Sequence, residues 1–290
     1  MSAPKLFDRA LAAQRLDRAL AQGPADFLLA RAAEDLADRL ALIKRDFTDA
    51  LDLATPGPHA AQALAAAHVT RIAPSRASLG EGRFTGLVAD PERPPLADAA
   101  FDLAVSLLAL HQIDDLPGLL IQLRRALRPD GLLLAALPGG DTLHELRACL
   151  IEAESEITGG ASPRVFPLAD ARALGGLLQR AGFALPVVDC DRVVVRYPDM
   201  FALMRDLRAF GQTSMLIDRP RRFARRALFL RAAALYAQRY ADADGRIRAT
   251  FDILWATGWV PHPSQPKPLA PGSARMRLED AVKQNPTPSR

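Results

Sequence analysis

Apolar and polar positions divide the first half of the chain into alternating strands and helices. Nearly continuous apolar runs at 101–110 and 132–138 are typical of strands covered on both faces. Shorter apolar runs predict strands over 50–54, 68–73 and 84–90, and helices are predicted over 59–67 and 116–128. Strands that alternate with helices on short loops indicate a Rossmann-like, doubly wound and mostly parallel α/β sheet.

The second half of the chain has a different pattern. Two predicted helices, 141–157 and 168–183, precede a β-rich segment at 185–198, and a second one follows at 247–260. The simplest arrangement makes these two segments edge strands of the same sheet, with the helices between them as a cap over the crevice. We divide the chain into N-terminal helices (1–48), an α/β core (49–198), a helical cap (199–245), a final core strand (246–260) and a proline-rich tail (261–290).

Composition restricts the class of protein. The 290 residues are 49% hydrophobic and 24% charged, with a formal net charge of +4 spread along the chain, which is typical of a globular protein and does not demand nucleic acid. No apolar run is long enough to span a bilayer. The first 20 residues lack an apolar signal core, so we expect a cytoplasmic protein, and peripheral contact with a membrane stays open. Cys149 and Cys190 are far apart in sequence, which favours free thiols over a disulfide or zinc site.

The candidate site residues lie at the ends of the predicted parallel strands. Ligands of doubly wound sheets bind outside the carboxyl ends of the strands, so residues 52–58, Asp90 and residues 106–112 are expected around one crevice. Asp90 can hydrogen-bond a ribose or an exocyclic amine, or it can cap the following turn. His111 is the one histidine that this pattern places at the crevice. The sequence has no GxSxG, P-loop, GxGxxG or metal-ligand spacing, so hydrolase, phosphotransferase and ordinary dinucleotide functions lose their main support.

Residues 101–147, FDLAVSLLALHQIDDLPGLLIQLRRALRPDGLLLAALPGGDTLHELR, resemble the core of the class I S-adenosylmethionine-dependent methyltransferases. More narrowly, the chain is similar to the branch of the mitochondrial complex I assembly factor 5, an arginine hydroxylase, and its alphaproteobacterial relatives. The segments LFDRAL, LGGLLQRAGF, VVVRYPDMFALMRDLRAFG and ATFDILWATGWVPHPSQPKPL extend this resemblance over nearly the whole chain.

The resemblance implies S-adenosylmethionine as the cofactor and assigns residues to it. Asp52, Ala54 and Gly57 would lie in the loop around its methionine part, and Asp90 would meet the adenine amine. Ser106 and Leu107 would line the cofactor after the fourth strand. Candidate contacts for a substrate or a partner are His111, Asp141, Arg147, Gln265 and Lys267.

Two departures from the family pattern affect this assignment. Ala54, Pro56 and Pro58 stand where the family has glycines, and a Cβ or a proline ring obstructs a ligand that must approach the backbone closely. The second strand also ends without the acid that holds the ribose. Each unpaired ligand group would cost about 1–3 kcal/mol, so we expect the cofactor to bind weakly, differently or not at all.

Three functions follow from the resemblance. The first is an enzyme that modifies a protein partner, such as a respiratory complex I subunit, by methyl transfer or arginine hydroxylation. The second is a cofactor-free assembly factor or chaperone that keeps the methyltransferase fold. The third, with the least support, is a methyltransferase of small molecules, because the region beyond residue 199 matches the assembly-factor branch.

Overall fold

One seven-stranded sheet organises the chain in the computed structural model, which describes residues 5–263 and 265. The strand order is β3-β2-β1-β4-β5-β7-β6. The first five strands of that order run parallel, as the alternation of strands and helices predicts. The strands are β1 (Asp49–Leu53), β2 (His68–Ala73), β3 (Thr85–Val88), β4 (Phe101–Leu107), β5 (Leu127–Pro138), β6 (Ala184–Tyr197) and β7 (Ile247–Trp259).

The two late strands join the same sheet, but the prediction that both are edge strands is wrong. β7 lies between β5 and β6 and runs antiparallel to both. Its residue Trp259 is opposite Leu132 of β5 on one side and opposite Ala184 of β6 on the other. Nearly every side chain of β7 is buried, as expected of an interior strand, whereas the alternating exposed side chains of β6 are those of an edge strand.

Nine helices of the described residues surround the sheet, and several begin at an aspartate whose carboxylate accepts a backbone N–H of the first turn. Asp8 caps the first helix in this way, and Asp115 caps the fifth, which has Pro117 in its first turn. The helices are α1 (Arg9–Gln22), α2 (Phe27–Ala41), α3 (His59–Ala63), α4 (Arg76–Leu79), α5 (Leu116–Ala126), α6 (His144–Thr158), α7 (Ala171–Arg180), α8 (Met200–Ala209) and α9 (Arg226–Tyr240).

Two predicted boundaries differ from the structure. The helix predicted over 59–67 ends at Ala63, because Leu64 is already extended before the chain enters β2. The fifth helix ends at Ala126, and β5 begins at once because Leu127 pairs with Phe101 of β4. The apolar run at 132–138 is therefore the second half of a longer strand.

The helices between β6 and β7 pack against α6 and the start of β7. Their shared cluster includes the buried side chains of Leu146, Leu203, Leu235 and Tyr236. The Tyr236 hydroxyl also donates to the carbonyl of Arg248 at 2.9 Å. This packing fixes α8 and α9 to the body of the protein.

The N-terminal segment is joined to the loop between α8 and α9. Phe7 forms an antiparallel bridge with Leu216, and the Asp8 backbone N–H donates to the Met215 carbonyl at 2.8 Å. The backbone N–H of Phe7 also donates to the Asp114 carboxylate at 3.1 Å. These bonds hold α1 at the carboxyl ends of the parallel strands.

Candidate functional site

A buried ion pair lies at the carboxyl end of β1. Asp52 and Arg71 have no exposed side-chain surface, and the Arg71 guanidinium contacts one carboxylate oxygen of Asp52 directly. The Thr55 hydroxyl donates to the other oxygen at 2.5 Å. Burial raises the pKa of Asp52, while Arg71 and Thr55 act in the opposite direction. Both oxygens of the predicted cofactor ligand Asp52 are thus engaged within the protein.

Arg71 also joins the loop after β1 to the turn after β2. Its remaining N–H groups donate to the carbonyls of Thr55 and Ser78, each at 2.7 Å, and of Leu79 at 2.8 Å. Arg71 is not among the site residues predicted from the sequence. The sequence does contain a signal for it, an arginine inside the short predicted strand HVTRIA. A charged side chain buried in a strand needs a partner of opposite charge.

The loop after β1 keeps a backbone conformation that suits glycine. Ala54 has a φ of 61°, and its side chain is buried. Pro58 is the residue before α3 and packs close to Gly80, where an added Cβ would lie 3.2 Å from the proline ring. Gly57, in contrast, does not have a positive φ. The loop therefore packs against the turn after α4.

Helix α1 engages the ends of β2 and β3, where the nucleoside would lie. The Ser75 hydroxyl, just beyond β2, donates to the carboxylate of Asp17 on α1. The Arg9 guanidinium lies 3.3 Å from Asp90 and also contacts Glu92. Asp90 in addition accepts the Glu92 backbone N–H at 3.1 Å, as a turn cap does.

The residues at the end of β4 face the same loop from the other side. Leu107 is buried, and its backbone N–H donates to the Thr55 hydroxyl at 3.1 Å. Ser106 is also fully buried, and its hydroxyl has no hydrogen-bond partner in the described part of the chain.

A cavity of about 380 Å³ lies between the sheet ends, the N-terminal helices and the cap. Pro56 and His59 bound it near β1, and Leu108 and His111 bound it near β4. Its walls are mainly apolar. The other lining residues come mainly from α1, α2, α6, the segment 163–168, α8 with the loop after it, and β7. Among the predicted site residues, His111 is in this wall, whereas Asp52, Ala54, Ser106 and Asp90 are not.

His111 is a half-buried imidazole held by the cap. Its Nε2 lies 3.2 Å from the Gln212 amide oxygen, and its Nδ1 is buried without a partner among the described residues. The side-chain amide nitrogen of Gln112 lies 3.3 Å from the same Nε2. Burial lowers the pKa of His111 to about 4, so the ring is neutral near pH 7.

The other predicted partner contacts do not gather at one place. The Asp141 carboxylate accepts a bond from Arg192 at 2.7 Å, and Arg147 makes weak bonds of 3.4 Å to the Gly140 carbonyl. The Gln265 side chain donates to Asp130 at 2.9 Å. Asp130 is near the start of β5, so this contact lies at the amino ends of the parallel strands, away from the cavity. Lys267 lies outside the described residues.

The cysteines are free thiols, as predicted: Cys149 is buried and Cys190 is exposed. Within residues 5–263 and 265, no His, Cys, Asp or Glu side chains cluster in groups of three or more that could hold a metal ion. Over the same residues, no helix combines the length and apolar character needed to cross a bilayer.

The residues at the strand ends do not fit a nucleoside cofactor in this arrangement. Each carboxylate oxygen of Asp52 already accepts a bond from Arg71 or Thr55, and α1 is bonded to Ser75 and Asp90 at the two positions expected to hold ribose and adenine. A nucleoside would have to replace these contacts.

Comparison with known proteins places this site in a family. A model described as "Methyltransferase domain" matches residues 51–135, which include the loop after β1 and the strands β2 to β4. The chain is 38% identical over 289 residues to a Danio rerio protein named "Arginine-hydroxylase NDUFAF5, mitochondrial", covering 96% of this chain and 90% of the relative. The chain belongs to the NDUFAF5 branch of the class I S-adenosylmethionine-dependent methyltransferase family. The resemblance inferred from the sequence is thereby confirmed.

Other members of the wider family share the same frame. The "Malonyl-[acyl-carrier protein] O-methyltransferase" of Laribacter hongkongensis is 35% identical over 275 residues, covering 88% of this chain and 90% of that protein. The solved structure of the YcgJ protein of Bacillus subtilis matches with a TM-score of 0.55 at 12% identity, covering 80% of this chain and 99% of that one. The latter match concerns the fold alone and agrees with the predicted class I methyltransferase fold.

Proposed function

We propose that this member of the NDUFAF5 branch acts on a protein partner in the assembly of respiratory complex I. The cavity of about 380 Å³ at the carboxyl ends of β1, β4 and β5 carries this proposal. A cap helix, α8, and the loop after it enclose that cavity, and similarity to the Danio rerio relative extends over 96% of the chain. A side chain of the partner would enter the cavity, and the surrounding helices would contact its backbone.

Two modifications are consistent with this family. The name of the relatives supports arginine hydroxylation, and the fold supports methyl transfer with S-adenosylmethionine, which supplies an electrophilic methyl group when bound. In this structure α1 and Arg71 engage the positions that the cofactor would need. The contribution of the chain's own residues is positional: His111, neutral near pH 7 and in contact with Gln212, forms part of the cavity wall.

A cofactor-free assembly factor is the second candidate. The observation behind it is the same closed arrangement at the ends of β1, β2 and β3. In that case the cavity would hold a segment of the partner without changing it. A cytoplasmic location is part of the proposal, whereas the NDUFAF5 relatives carry "mitochondrial" in their names.

Affinity capture with a variant that fills the cavity tests this function. Tagged chain from its native host is expected to retain a respiratory complex I subunit, and Thr213→Trp, in the cavity wall, is expected to lose it. Thr158→Trp, on the exposed end of α6, is the matched control and should retain the subunit.

Mass spectrometry of the captured subunit then separates the candidates. A mass increase of one oxygen atom on an arginine supports hydroxylation, an added methyl group supports methyl transfer, and capture with no mass change supports the cofactor-free factor. Absence of any respiratory subunit from the captured material, or its retention by Thr213→Trp, would contradict the proposal.

A further inference from the structure

The charges around the cavity are unbalanced near Arg15. The wall includes the guanidiniums of Arg15, Arg208 and Arg219. Arg219 has Asp8 at 3.3 Å, but no carboxylate of the described residues lies within ion-pair distance of Arg15. Burial, followed by the charges of Arg219 and Arg18, lowers the pKa of Arg15, and the charge of Asp8 acts in the opposite direction. Arg15 is thus a cation of this wall without an ion-pair partner among the described residues, whereas Arg219 is paired with Asp8.

The same corner has an unused hydrogen-bonding group. Arg15 donates to the carbonyl oxygen of Ser214, and this contact fixes the guanidinium in the wall. The Ser214 hydroxyl is buried and has no partner in the described part of the chain. A buried hydroxyl without a partner is costly, and a ligand atom that accepts its proton would remove that cost.

Most of the remaining wall is apolar, although Asp26 and Asp252 also line the cavity. Leu16, Leu20, Leu146, Leu150, Phe166 and Phe229 contribute to its walls, and its volume lies within the range of about 300–1,000 Å³ of small-molecule pockets. The walls can bury a hydrocarbon chain, while the Arg15 corner offers a positive charge and a hydroxyl donor. A ligand that satisfies both has one anionic end and an apolar body.

We propose that this cavity binds an organic carboxylate with an apolar chain, its carboxylate accepting hydrogen bonds from Arg15 and the Ser214 hydroxyl. A carboxylate matches a guanidinium in charge and geometry, and the bond is strengthened by the low polarity of the surroundings. The proposal concerns the same cavity that is proposed above to admit a partner side chain, so a bound carboxylate would compete with that side chain. The Arg15 charge makes a cationic ligand unfavourable at the same corner.

Calorimetric titration of the full chain with three probes of equal chain length tests the site. Decanoate is expected to bind about tenfold to a hundredfold more tightly than decanol, since a hydrogen bond to a charged group contributes about 1.5–3 kcal/mol. Decylamine is expected to bind more weakly than decanol, because its ammonium would face the guanidinium of Arg15. Equal affinities for decanoate and decanol, tighter binding of decylamine, or no binding of any probe by folded protein would overturn the proposal.

Variants of the chain locate the contact. Arg15→Gln should abolish the preference for decanoate over decanol, whereas Arg18→Gln, which removes a charge from the exposed side of the same helix, should keep most of it. Ser214→Ala removes the hydroxyl while it leaves the charges in place, so a several-fold loss of decanoate affinity is expected even where Arg15→Gln fails to fold. A decanoate preference unchanged in both Arg15→Gln and Ser214→Ala would place the ligand elsewhere.

Discussion

Replacing Asp52 by asparagine should destabilise the protein by about 3 kcal/mol. The substitution keeps the shape of the side chain but leaves the Arg71 guanidinium buried without its counter-charge, and breaking a buried pair costs about 3–5 kcal/mol. We expect the lower end of this range, because Arg71 keeps its bonds to the carbonyls of Thr55, Ser78 and Leu79. That loss is a large part of a typical total stability of about 5–15 kcal/mol.

Urea denaturation followed by circular dichroism measures this loss. Asp98→Asn is the matched control, since Asp98 pairs with Arg125 at the surface, where both side chains are more than 60% exposed. An exposed pair contributes about 0–1 kcal/mol, so this control should unfold almost as the wild type does. A value for Asp52→Asn within about 1 kcal/mol of the wild type would refute the structural role assigned to the pair.

Three further predictions concern single positions. Ala54→Gly should leave stability unchanged or raise it by up to about 1 kcal/mol, because glycine adopts a positive φ without strain. The control Ala234→Gly, in α9, should lower stability by about 1 kcal/mol. A lower melting temperature for Ala54→Gly than for the wild type would contradict this prediction. Burial lowers the pKa of His111 to about 4, so the folded protein loses stability as the pH falls from 6.5 towards 4, by at most about 3 kcal/mol. His111→Gln should therefore flatten the stability profile between pH 6.5 and 4. A profile that is the same in this variant and in the wild type would contradict the prediction. In folded protein a disulfide reagent should modify Cys190 and not Cys149, whose buried thiol has a pKa raised to about 11; modification of both at equal rates would show that Cys149 is accessible.

The sequence predicts the frame of the sheet because the signals for it are local. Continuous apolar runs mark β4 and β5, and the loop after β1 is recognisable from Asp52 and the prolines that follow it. The interior position of β7 was not predictable in the same way. Its place between β5 and β6 depends on pairings such as Leu132 with Trp259, which join residues far apart in sequence.

The position of α1 across the ends of β2 and β3 depends on side-chain contacts between residues far apart in sequence. Asp17 and Ser75 are 58 residues apart, and Arg9 and Glu92 are 83 residues apart. No local pattern indicates that α1 would cross the ends of β2 and β3. The missing ribose acid was visible in the sequence, but the buried pair of Arg71 with Asp52 became evident only once the two strands were adjacent.

Calorimetric titration of the folded wild-type chain with S-adenosylmethionine tests the central claim most directly. That claim is that Arg71 and α1 engage the groups a nucleoside cofactor would need. The structure predicts no saturable heat up to millimolar ligand. A dissociation constant in the micromolar range would contradict the claim, because α1 and Arg71 would then have to yield to the cofactor at little cost.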